Sequence, residues 1–190
     1  MASYHCTVKT GAKGSALNHS DYISRSGDYK KYKSREDLEF SSSGNMPSWA
    51  KKNPAELWKA ADEFERKNGT AYREIEIALP RELTREQRIE LVENFVQKEL
   101  GDRHAYQYAI HNPPGAIDGK EQPHAHIMFC ERINVPTANH RNGEEPKKRV
   151  HLRHHKNEKP PLLRCVPAGQ MCKTNTLRDM GMSHALIIVH

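Results

Sequence analysis

Long apolar runs are missing from this chain. No stretch approaches the ~20 residues a helix needs to cross a bilayer, and the first residues lack the charged start and apolar core of a secretory leader. Membrane insertion is therefore not expected, and a cytoplasmic location is. Cysteine is sparse: Cys6, Cys130, Cys165 and Cys172 form no Cys-x-x-Cys pair and no dense framework, so reduced thiols are the expectation. Hydrophobic residues make up only 36%, which is low for a fully compact domain and implies loop-rich or disordered segments. No internal repeat is present. The excess of 30 basic over 24 acidic residues suits a polyanionic partner but is too modest to establish one. A length of 190 residues supports one ordinary domain with a tail.

Periodicity orders the chain. Ser3 to Lys9 alternates as a first strand, and Gly11-Ala12-Lys13-Gly14-Ser15 is a basic turn whose backbone can approach phosphate or simply join strand to helix. A short helix is predicted over residues 16–25, and Ser41 to Pro47 reads as a loop. Pro54 to Arg66 is the clearest early helix, with Leu57, Ala60, Ala61 and Phe64 on one face and Trp58 more suited to core than to base stacking. Tyr72 to Leu79 is a strand that puts Ile75, Ile77 and Leu79 on the core side and Glu74 and Glu76 together on the other. Thr84, with Gln87 as capping-box partner, starts a long helix that Gly101 ends. Two further strands follow. This order fits an α+β fold, an antiparallel sheet with helices packed on it. Beyond Asn134 the chain becomes basic, rich in histidine and broken by Pro136, Pro146, Pro160 and Pro161, which buries little core. Residues 1–135 are thus expected to form the domain and 136–190 a basic, partly disordered tail, with Ala185 to Val189 available as an edge strand.

The chemistry concentrates between His111 and Asn134. Strand-like Ala105 to His111 and His124 to Ile133 flank a segment with Pro113-Pro114-Gly115 and Asp118-Gly119, which reads as the long tip of a hairpin. Residues i and i+2 of a strand share a face, so His124 and His126 point the same way, and His111 can join them at the hairpin's mouth. Three neutral imidazoles there make a metal site with open positions. The competing account is accident, since the chain holds twelve histidines.

Pro123-His124-Ala125-His126-Ile127-Met128, with Glu131-Arg132-Ile133-Asn134 behind it, closely resembles the histidine signature of the MobA/MobL family of plasmid mobilisation relaxases, members of the HUH endonucleases. The resemblance covers about residues 3–134. It implies a ferredoxin-like or RNA-recognition-like core and a relaxase that nicks one DNA strand at an origin of transfer by tyrosine attack, keeps the 5′-phosphate on the protein, and rejoins it during conjugative mobilisation. Asp21-Tyr22-Ile23 resembles the family's nucleophile segment in order and context, which makes Tyr22 the expected catalytic tyrosine. From the residues alone a structural tyrosine is the plainer account. The same resemblance points to acidic residues on the Glu74/Glu76 strand, to orient an imidazole or to act as a base, and leaves open which.

The implied cofactor is a divalent ion on His111, His124 and His126. Mn²⁺ or Mg²⁺ suits phosphoryl transfer, while three imidazoles lean towards Mn²⁺, Zn²⁺, Co²⁺ or Ni²⁺. Expected partners are single-stranded and hairpin origin-of-transfer DNA, relaxosome accessory proteins and a conjugation coupling protein. Lys9, Lys13, Arg25, Lys30, Lys31 and Arg132 are candidate DNA-backbone contacts, against a solvated basic face or, for Arg132, an internal pair. A rolling-circle replication initiator shares this chemistry, but usually carries its nucleophile after the histidines. A non-enzymatic DNA- or zinc-binding module would need Cys165, Cys172, His154 and His155, whose spacing matches no compact zinc motif.

Overall fold

A computed structural model describes residues 5–35, 37–115, 119–134 and 152–153. Its centre is an antiparallel sheet of β1 (Cys6–Ala12), β2 (Leu38–Gly44), β3 (Thr70–Ala78), β4 (His104–His111) and β5 (His124–Asn134), in the spatial order β1-β3-β5-β4-β2. A two-residue β6 (Leu152–Arg153) pairs with Ile133 and Asn134, beyond Phe129, where the ladder from β3 stops. The helices are α1 (Ala16–Ser24), α2 (Ala55–Phe64) and α3 (Arg85–Glu99). The chain is therefore α+β, as expected, and helices cover both sides of the sheet.

Alternation along the strands divides the interior in two. Ile75, Leu79, Tyr108, Ile110, Ala125, Ile127 and Phe129 pack with Val92, Val96 and Leu100 of the α3 region. Ala105, Ala109, Met128, Cys130 and Tyr72 pack instead with Ala16 and Ile23 of α1 and Leu57, Trp58 and Ala61 of α2. The predicted capping box of α3 is present, with Thr84 accepting from the Gln87 amide and Gln87 accepting from the Thr84 amide. Trp58 is fully buried and its indole N–H donates to Gln107 at 2.8 Å, a core role.

Two readings need correction. Ser41 to Gly44, expected as loop, belongs to β2, paired with β4 from Leu38↔His111 to Gly44↔Tyr106. The small residues face large ones across the ladder: Ser42 lies opposite Tyr108, and a Cβ on Gly44 would fall 2.2 Å from the Tyr106 hydroxyl oxygen. The turn after β1 is not open to phosphate either. The Asp62 carboxylate of α2 already accepts from the Gly14, Ala16 and Leu17 amides at 2.7–2.9 Å, which satisfies the start of α1 internally. Apart from β6, the expected tail, the Ala185 to Val189 strand and Cys165, Cys172, His154 and His155 fall outside the described residues.

Candidate metal and nucleophile site

β4 and β5 are paired so that His111 stands directly opposite His124. The period of two brings His126 to the same face, and the three rings converge with centroids 5.0–5.6 Å apart. Each residue offers one ligand atom, and these atoms all lie within 4.8 Å of one another. Hydrogen bonding decides which nitrogen each ring presents. A carbonyl oxygen can only accept, so His111 donates Nε2–H to Ile23 O at 2.7 Å and His124 donates Nδ1–H to Gln122 O at 2.9 Å. His126 donates Nδ1–H to Glu74 Oε1 at 2.7 Å. The lone pairs left over are on His111 Nδ1, His124 Nε2 and His126 Nε2. Burial pushes the His111 imidazole down to about 4, against a partial offset from the Ile23 carbonyl, and lowers His124 as well. Neutral rings with one oriented lone pair each are the donor set a divalent transition ion takes.

Packing separates the two glutamates that strand alternation could not. Glu74 lies beneath α1 and is only 2% exposed. Burial alone would raise its carboxyl, but the His126 hydrogen bond and a contact from His19 outweigh that and hold it well below the usual carboxylate range. Glu76 faces His126 across the ladder yet pairs with Lys9. Burial would raise its carboxyl too, and the Lys9 ammonium brings it down. Glu74 is thus the carboxylate on an imidazole, and Glu76 is the one neutralised by a lysine.

Tyr22 projects from α1, one residue before the carbonyl that holds His111. It is 42% exposed, the exposed large hydrophobic side chain among the described residues. Three neighbours hold its ring: the Arg25 guanidinium over its face at 4.8 Å, Tyr29 edge-on at 5.5 Å, and His19 stacked at 6.2 Å. Two other tyrosines follow Tyr22 closely as alternative nucleophiles: Tyr29 donates its hydroxyl to Asn18 Oδ1 at 3.2 Å, and the side chain of Tyr32 falls outside the described residues.

The basic candidates divide. Lys30 and Lys31 are exposed on the 3-10 segment that follows Tyr22. Lys9 is half-exposed beside Glu76. The other three make contacts within the protein, and for Arg132 this is the internal pair. Lys13 donates to Glu63 O at 3.0 Å and Glu65 O at 2.7 Å, at the end of α2. Arg25 is buried, in a left-handed backbone conformation that closes α1, bonding Tyr22 O and Asp37. Arg132 pairs with the buried Glu65. Sequence reasoning missed Asp37 and His19. The Asp37 carboxylate, drawn in by Arg25, acts electrostatically on both His111 and His124. His19 contacts Glu74, and its only sequence signal is the i, i+3 spacing to Tyr22.

Likenesses to known proteins bear on the family and the fold. A 43 kDa relaxation protein of Salmonella typhimurium is 63% identical over 153 residues, 80% of this chain and 40% of that protein. Mobilization protein A of Escherichia coli is 42% identical over 138 residues, 70% of this chain and 18% of that protein. A solved structure described as "Molecular Basis of Vancomycin Resistance Transfer in Staphylococcus aureus" matches 78% of this chain and 84% of its own with a TM-score of 0.52, and at 23% identity it speaks to the fold alone. The chain spans well under half the length of these two curated relatives. The MobA/MobL family model matches residues 10–178, past the boundary expected near 135, and over that span this chain belongs to the MobA/MobL family.

Proposed function

We propose that this chain is a DNA relaxase domain that nicks one strand at a plasmid origin of transfer and rejoins it during mobilisation. The observation that carries the reading is the tie between Tyr22 and the histidines: the carbonyl next to Tyr22 accepts from His111, so the helix bearing the nucleophile is built onto the imidazole cluster. Relatives named as relaxation and mobilization proteins support the same role.

The reaction is a transesterification. The Tyr22 oxygen attacks the scissile phosphorus, the bond to the 3′-oxygen breaks, and the 5′-phosphate remains on the tyrosine. The 3′-oxygen leaves as a hydroxyl, taking up one proton for the one the phenol gives, so the step is reversible and the strand can be resealed. Free tyrosine has a pKa near ~10, and an attacking oxygen must lie in line with its leaving group, so positioning carries much of the burden. The stacked and edge-on contacts around Tyr22 supply it. His111 Nδ1, His124 Nε2 and His126 Nε2 would hold a divalent ion, which when bound provides a Lewis acid for the phosphate oxygens. Mn²⁺ fits both the donor set and phosphoryl transfer, with Mg²⁺, Zn²⁺, Co²⁺ and Ni²⁺ as the other candidates. Glu74 fixes the His126 tautomer and ring plane. Lys30 and Lys31 are placed to meet the backbone of single-stranded or hairpin DNA, and relaxosome proteins and a coupling protein are the wider partners of such a domain.

Incubation with supercoiled plasmids bearing candidate origins tests this. A strand-specific nick with protein on the 5′ end is expected, and Tyr22→Phe should abolish it while single-stranded binding persists. Nicking by Tyr22→Phe at the wild-type rate would overturn the assignment.

A further inference from the structure

We propose that His19 is a positioning residue that ties the nucleophile's helix to the imidazole cluster through Glu74. The proposal rests on the reading above and extends it to a residue that neither the histidine motif nor the tyrosine segment contains.

His19 stands three residues before Tyr22 on α1, the spacing that puts two side chains on one helix face. Its Nε2 lies 2.9 Å from Glu74 Oε1, the oxygen that takes the His126 hydrogen bond at 2.7 Å. This is a polar contact to a shared oxygen, without the alignment of a well-formed hydrogen bond. A chain of packing holds the ring there. Gly11 of β1 leaves room for the Tyr72 ring, which occupies the space a Cβ would need. His19 lies nearly parallel on Tyr72, with centroids 5.0 Å apart and planes at 10°, and stacks against Tyr22 on its helix. One imidazole therefore touches the nucleophile's ring and the carboxylate that orients a ligand imidazole.

The physical need is clear. A buried carboxylate with a single donor can swing about its side-chain torsions, and His126 would swing with it. A second imidazole nitrogen against the same oxygen confines the carboxylate from the α1 side. Any flat ring would stack on Tyr72 equally well, but only one with a polar nitrogen at that edge also addresses Glu74. This distinguishes positioning from mere packing.

The test uses the full chain, titrated with Mn²⁺ by calorimetry and assayed for single-turnover cleavage of an origin oligonucleotide, with thermal melting alongside. His19→Phe keeps the stack and loses the polar contact, whereas His19→Gln puts a polar side-chain amide within reach of Glu74. Partners one step from a metal ligand set affinity by roughly 10–100-fold. One step further out, His19→Phe should weaken Mn²⁺ binding by about three- to tenfold and slow cleavage at saturating DNA, with the DNA dissociation constant unchanged. His19→Gln should recover the Mn²⁺ affinity. Wild-type Mn²⁺ affinity in a folded His19→Phe would overturn the proposal, as would equal losses in both variants that follow the melting temperature. His126→Ala is the control for the reading beneath it: if it binds Mn²⁺ as tightly as wild type, the metal site fails whatever His19 does, and this proposal falls with it.

Discussion

The two faces of one sheet are built from alternate residues of the same strands, and they do different work. On the α3 face Ala125, Ile127 and Phe129 of β5 meet Ile75, Tyr108 and Ile110 in an apolar layer. On the α1/α2 face β5 presents His124 and His126 before reverting to Met128 and Cys130, and β3 contributes Glu74. Two buried polar groups there have partners: Gln107 Oε1 accepts from both Trp58 and Ser20, and Glu74 lies between two imidazoles. An apolar layer on one side stabilises the sheet independently of the other, so the second side can carry groups whose burial is costly. Stability and chemistry should therefore respond to different substitutions.

Arg88 is the largest challenge to that division. It is a buried charge on α3, bonded to Glu39 Oε1 at 2.6 Å, Arg81 O at 3.1 Å and Glu121 Oε2 at 3.1 Å. Glu39 also accepts from Asn112, the residue after His111, so the pair braces the hairpin tip. Arg88→Met would strand a largely buried carboxylate and should cost about 3–5 kcal/mol. Urea unfolding checks this, and adding Glu39→Gln should restore part of the loss. If Arg88→Met unfolds at the wild-type midpoint, the brace carries no weight.

A smaller effect is expected from Glu74→Gln, on the other face. The amide keeps the shape and an acceptor but not the charge, so Mn²⁺ affinity should fall by roughly tenfold or more. Calorimetry reads it directly. A Mn²⁺ affinity equal to wild type would remove Glu74 from the site and blur the two faces.

The smallest effect sharpens the comparison from the apolar side. Ile127 is fully buried between His126 and Met128 in sequence but faces α3. Ile127→Val should lower stability by about 0.5–1.5 kcal/mol and leave Mn²⁺ binding untouched, although its neighbour is one of the three converging histidines. A matching loss of metal affinity would show that the faces are coupled through the strand.

The parts of this site that were legible in the sequence are those that depend on local geometry. A period of two and a Pro/Gly-rich tip suffice to bring His111, His124 and His126 together, and the Thr84 cap and the α2 stripe are equally local. What was hidden depends on distant partners. Ser41 to Gly44 has loop composition and becomes a strand because Tyr106 and Tyr108 lie opposite it. Glu74 and Glu76 are equivalent on an isolated strand, and only the packing of α1 over one and the reach of Lys9 to the other distinguish them. The charges of Lys13, Arg25 and Arg132 are visible in the sequence, whereas the carbonyls and carboxylates that meet them are not. His19 was overlooked for the same reason, since its target lies on β3.

The central claim is that the α1/α2 face delivers Tyr22 to a scissile phosphate. Trapping the wild-type protein on an origin oligonucleotide and mapping the nucleotide adduct by peptide mass spectrometry tests it most directly. The account predicts a phosphodiester on the peptide containing Tyr22, absent from Tyr22→Phe. An adduct on Tyr29 or Tyr32, formed equally well by Tyr22→Phe, would contradict it.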